Sequence, residues 1–162
     1  MKYFFILIAL VSFTNINAQR NSYFLGDWFW KEGNKTFTVH FYEEGKILKG
    51  DYQLTEEDKL GEKKIIYKSN KLVNKEFDMY FGHAINGSST DGEIFHGIIK
   101  DNVLYGDSIH SVRNGELLII KNDENTLIWS VTYLEIYNKL RSLKVPNEFS
   151  IPINISLSRQ KK

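Results

Sequence analysis

The sequence predicts an all-β chain closed into a single antiparallel up-and-down barrel of about eight to ten strands. Three observations lead there. Phe, Trp and Tyr make up 14% of the 162 residues, and such side chains favour pleated, half-buried surfaces. Gly is frequent and Pro scarce, at 11 and 2 residues, so short turns rather than proline-broken loops separate the apolar runs. Long stretches alternate apolar and polar residues with period two, which a helix of period 3.6 does not produce.

The first 18 residues stand apart from that pattern. Lys2, an apolar run from Tyr3 to Phe13 and a small residue at Ala18 have the layout of a secretory signal cleaved before Gln19. The run is short for a membrane span. An uncleaved anchor is the alternative, because Ile16 occupies the position where a second small residue is expected. Cleavage leaves one domain, residues 19–162, exported to the periplasm or the extracellular space and without a membrane-spanning segment. That length, 162 less 18 or 144 residues, buries roughly 68–70% of its unfolded surface as one domain. The chain has no Cys, so its stability must come from packing rather than disulfides. Removing Lys2 leaves 20 acidic against 20 basic residues, which argues against a nucleic-acid partner.

The elements follow in order. Gly26-Asp27-Trp28 begins the first strand, the Gly read as allowing close backbone approach and the indole as a plug at one barrel end. A two-residue turn at Gly33-Asn34 pairs Trp30 with Phe37, Trp28 with Val39 and Gly26 with Phe41 on one face. Asp27, Lys31, Thr36, Thr38 and His40 share the other, solvated face. A turn at Glu43–Lys46 leads into a third strand, 46–55, with Leu48, Gly50, Tyr52 and Leu54 in phase. Lys63–Ser69 and Glu76–Gly82 read as strands, and the small, polar stretch Asn86–Gly92 as a loop. Glu93–Lys100 and Val103–His110 form a hairpin about Asp101-Asn102. Turns at Asn114-Gly115 and Asn122–Asn125 frame 116–121 and 126–132. Tyr133–Leu143 is either a short amphipathic helix or a decorated loop, stopped at Pro146. The last strand alternates Phe149, Ile151, Ile153, Ile155 and Leu157 inward. Continuing that phase brings Arg159 to the apolar face, where its guanidinium stacks on Trp28 and closes the barrel; otherwise the terminus is solvated.

Gly26-x-Trp28 on the first strand, the run of short strands and the late Arg159 resemble the calycin barrels, the lipocalins and fatty-acid-binding proteins. The chain further resembles a lipocalin-like family of small exported bacterial proteins of unknown function, whose ends look like Leu25-Gly26-Asp27-Trp28 and Ile151-Pro152-Ile153-Asn154-Ile155-Ser156-Leu157. The resemblance implies fold and export, assigns no activity, and makes Trp28 and Arg159 a structural pair. No second or third lipocalin signature is present.

Chemistry is sparse. The hairpin register places His40 opposite Asp27 and His96 opposite Asp107, and an Asp can orient a His and raise its basicity. Facing Asp and His residues on exposed strands are more often modest surface pairs. No spacing in the chain matches a metal motif, a nucleophile elbow or a phosphate loop. No catalytic residue, metal or cofactor is therefore expected, and the protein is not expected to be an enzyme. Two functions remain. In one, the barrel holds a small apolar ligand lined by Trp30, Phe37, Tyr52, Met79 and Trp129. In the other, those side chains fill the barrel, and loops such as 86–92 and 133–147 contact a protein partner, as in an inhibitor, immunity or envelope-associated protein.

Overall fold

The structure, a computed structural model, describes residues 21–69, 73–74, 79–80, 83–101, 113–134 and 149–159. The signal-like segment 1–18 and most of the 133–147 stretch lie outside these residues. Among the described residues no helix is long and apolar enough to cross a membrane.

Eight strands close into an antiparallel ring. They are β1 (Gly26–Glu32), β2 (Lys35–Glu44), β3 (Ile47–Glu57), β7 (Ile85–Ser89), β8 (Ile94–Asp101), β9 (Arg113–Asp123), β10 (Thr126–Tyr133) and β11 (Asn154–Ser158). Each pairs with its neighbour in that order, and β11 returns to β1, so the topology is up-and-down. Strand β4 (Lys63–Lys68) pairs with the second half of β3 and lies outside the ring, while β5 (Val73–Asn74) and β6 (Met79–Tyr80) form a separate pair.

The first hairpin adopts the register that alternation dictates: Gly26 faces Phe41, Trp28 faces Val39 and Trp30 faces Phe37. Strand β3 continues it, with Phe41 opposite Gly50 and Val39 opposite Tyr52. Two turn glycines take the left-handed backbone that makes these tight links possible, Gly33 at φ 58° and Gly45 at φ 67°. Gly26 also has positive φ, 100°, and a Cβ built there would meet nothing within 4 Å. Its requirement is thus conformational, and not the close backbone approach expected of it.

Four expectations are corrected. Residues 86–92 were expected as a loop, yet Ile85–Ser89 is wall strand β7. Its small residues are demanded by packing: a Cβ on Gly87 would lie 2.6 Å from the Phe95 ring and from the backbone of Gly97. Asn114-Gly115 is no turn but the start of β9, because Gly115 accommodates Val131 and Phe149 where a Cβ would stand 2.7 and 2.9 Å from them. The hairpin expected between β8 and 103–110 is replaced on both edges of β8. That strand pairs with β9, Asp101 facing Arg113, and with β7 on its other edge; residues 102–112 lie outside the described ones. The final strand is also shorter than alternation suggests. Phe149–Ile153 crosses the barrel end as a strap, and Ile153 is 46% exposed, its carbonyl accepting from Val131 N at 2.7 Å.

The core is one cluster. Trp28, Phe24, Phe41, Phe95, Leu48, Ile85, Ile99, Leu117, Ile119, Leu127, Phe37 and Trp129 are fully buried. At the end where Trp28 sits, Asn21 ties three elements together, donating to Glu43 Oε1 at 2.9 Å and accepting from Ser89 N at 3.3 Å.

Two exposed carboxylates fix turns at that end. Asp91 accepts from Ile94 N at 2.9 Å and Glu93 N at 2.8 Å, and Asp123 from Asn125 N at 2.8 Å. These backbone donors hold both carboxyls below their ordinary value of 3.8. A depressed folded value stabilises the fold above the unfolded pKa, and that contribution disappears as pH falls through the folded pKa. The melting temperature should therefore hold between pH 7 and about 5 and fall below about 4, with Asp91→Asn flattening the acid limb. A melting temperature constant down to about pH 2.5 would contradict this assignment.

Candidate functional site

The lumen-facing candidates are crowded together. The Phe37 ring lies 5.9 Å from Tyr52 and 5.9 Å from Trp129, the latter edge-on. Phe37 is on β2 and Trp129 on β10, three places apart round the ring, so this contact spans the interior. Phe41 on β2 and Phe95 on β8, also three places apart, meet at 6.0 Å. Trp129 Nε1 donates to Pro152 O at 2.9 Å, and Tyr52 Oη donates to Lys100 O at 2.9 Å. Trp30 is half-buried against the same cluster. Met79 lies in the separate β5–β6 pair, and its side chain is outside the described structure.

The Trp28 end is closed by stacking. The Arg159 guanidinium lies 4.4 Å from the Trp28 ring centroid and 5.5 Å from that of Tyr23. It donates to Leu25 O at 3.0 Å and to Tyr23 O. Trp28 is fully buried and its Nε1 donates to Phe24 O at 2.8 Å. Strands β1 and β11 meet at one register pair, Phe29 with Ser158. The Arg159 side chain thus bridges a seam that backbone pairing holds only briefly.

Outside the barrel, β1–β3 carry a polar cluster. His40 Nδ1 lies 2.6 Å from Asp27 Oδ1 with both side chains 55% exposed, so water screens the pair. His40 stacks on Tyr42 at 5.7 Å. The Tyr42 hydroxyl bonds Asp51 Oδ2 at 3.1 Å and His83 Nδ1, whose Nε2 is 3.2 Å from Glu44 Oε2. The Lys49 ammonium, and then His83, hold the Glu44 carboxyl below its ordinary range. A shallow groove of about 270 Å³ opens beside this cluster, lined by Thr38, His40, Asp51, Gln53, Lys68 and Ser69. Among the described residues no three His, Cys, Asp or Glu side chains converge to hold a metal. Replacing His40 with Ala should cost less than about 1 kcal/mol in chemical denaturation, as for other exposed pairs. A larger loss would mark the pair as more than a surface contact.

His96 is exposed and faces Ser88 on β7 and Leu118 on β9. Both of its cross-strand places are occupied, and Asp107 lies outside the described residues, so the expected pairing is replaced by these neighbours. The reason is the β8–β9 register described above.

Two residues that alternation could have found were missed. Phe95, Gly97 and Ile99 point inward on β8, and the next inward residue is Asp101; Arg113 precedes inward Gly115 and Leu117 on β9. The two are 4% and 3% exposed and face one another. Arg113 Nη1 is 3.9 Å from Asp101 Oδ2, which accepts from Ser150 N at 2.6 Å. Tyr67 Oη donates to Ser150 O at 3.0 Å; burial, then the Asp101 charge, push its phenol above the ordinary value.

The architecture defines the class, a closed eight-stranded antiparallel up-and-down barrel. No protein family, curated protein or solved structure matches the chain.

Proposed function

We propose that this chain is an exported lipocalin-like barrel that works as a protein-interaction module, its interior filled by its own side chains. The observation that carries the reading is the pair of ring contacts across the lumen, Phe37 to Trp129 and Phe41 to Phe95, at 5.9 and 6.0 Å. An eight-stranded barrel is just wide enough either to be packed with side chains or to hold one small ligand, and rings in contact across it favour packing. Export rests on the signal-like layout of residues 1–18.

The outer wall supports docking. Ile94 and Ile128 flank Ile120 on neighbouring strands, with Ile120 and Ile128 exposed by 38% and 42% and Ile98 nearby by 43%. Adjacent exposed isoleucines on a sheet face suit a protein surface better than water.

Tryptophan emission of residues 19–162, titrated with dodecanoic acid, tests the filled interior. No saturable change is expected. A stoichiometric blue shift or quench would sink the reading in favour of an apolar ligand in the lumen. Capture with the parent protein beside an Ile120→Lys, Ile128→Lys variant tests the face: partners should be lost from the variant, and equal capture by both would refute docking there.

A further inference from the structure

We propose that the unpartnered atoms of Asp101 and Arg113 bind one hydroxyl group, which donates to Asp101 and accepts from Arg113. Both side chains point into the barrel from facing positions on β8 and β9 and are more than nine-tenths buried. They pair as charges without a hydrogen bond between them. The guanidinium Nη1 stands 3.9 Å from Asp101 Oδ2, beyond hydrogen-bond distance, and Oδ2 already accepts from Ser150 N. Asp101 Oδ1 and Arg113 Nε, both buried, have no hydrogen-bond partner among the described residues. Buried donors and acceptors are almost always paired, and an unpaired one on a charged group is costly.

The two orphaned atoms are an acceptor and a donor on directly facing residues, and this selects the ligand chemistry. A carboxylate offers only acceptors, and either a carboxylate or a phosphate would meet the Asp101 charge. An ammonium offers only donors and would meet Arg113. A hydroxyl oxygen supplies one donor and one acceptor from a single atom, the smallest group that serves both. Such a hydroxyl has two sources: a trapped water, which buried polar sites of this kind commonly hold, or the head of an alcohol entering at the barrel end where the Phe149–Ile153 strap crosses. The Tyr52 hydroxyl donates to the Lys100 carbonyl beside Asp101, and the site stands on Asp101 and Arg113 themselves, not on whether the rest of the lumen is filled.

The Arg113 Nε–H is its own reporter. In the exported domain with ¹⁵N-labelled arginine, its NMR signal is assigned by its disappearance in Arg113→Lys. A slowly exchanging Nε–H with a cross-peak to a long-lived water is expected, and if it is unchanged by 1-octanol the occupant is water. Saturable replacement of that peak by one to the alcohol's carbinol protons identifies a ligand hydroxyl instead, and equally supports the site. A slowly exchanging Nε–H with no cross-peak to water or alcohol overturns the proposal. So does an Nε–H in exchange too fast to observe, since the site would then be open to solvent.

Discussion

Trp28→Ala should destabilise the protein by about 3–5 kcal/mol, as for other buried tryptophans cut back to Ala. The indole is fully buried and fills the barrel end against Tyr23, whose ring is 5.8 Å away. Its Nε1 also satisfies the Phe24 carbonyl, so truncation leaves both a cavity and an unmet acceptor. The loss extends to the closing seam, because Arg159 stacks on the removed ring while bonding the Tyr23 and Leu25 carbonyls. Arg159→Ala should cost less, about 0.5–2 kcal/mol for the stacking contact alone. The double variant should lose less than the sum of the singles, since both remove one shared contact. Denaturant unfolding followed by far-ultraviolet circular dichroism checks all three. A Trp28→Ala loss below about 1 kcal/mol would show that the indole does not plug the barrel.

The hairpin from Gly26 to Glu44 was legible because two independent signals agree there: a left-handed turn glycine at 33 and strict alternation on both sides. Strand β7 was hidden for the opposite reason. Ile85-Asn86-Gly87-Ser88-Ser89 has loop composition, and what makes Gly87 a wall residue is the Phe95 ring pressed against it, a tertiary contact with no local trace. Asn114-Gly115 misled in the same way, its glycine required by Phe149 from the distant strap. In the candidate site, His40 and Asp27 could be placed by register alone. The link from Tyr42 to His83 could not, since it joins residues 41 apart in sequence through a connection that periodicity does not describe. Asp101 was obscured by its neighbour: Asp101-Asn102 has turn chemistry, and taking it as a turn ended β8 one inward residue too soon.

That inward residue sets the second large effect. Arg113→Met should cost about 3–5 kcal/mol, because it keeps the bulk of the side chain and leaves the Asp101 carboxylate buried without its countercharge. Asp101→Leu should cost a comparable amount by stranding the guanidinium, and it also deprives the Ser150 amide of its acceptor. The two changes together should recover much of the loss, since replacing both members of a buried ion pair with apolar residues of similar volume is often neutral or stabilising. The residual cost in the double variant then measures the strap: Ser150 would still be held by Tyr67 at its carbonyl but no longer at its amide. A thermodynamic cycle of the four proteins, by urea unfolding, separates these contributions. Strict additivity of the two single losses would show that the residues do not interact, and a loss below about 1 kcal/mol for Arg113→Met would show that the charge it balances is not buried. Strong coupling with an incomplete recovery is the expected result, because Asp101 serves two partners at once, the guanidinium across the sheet and the amide of the strap that closes the barrel end.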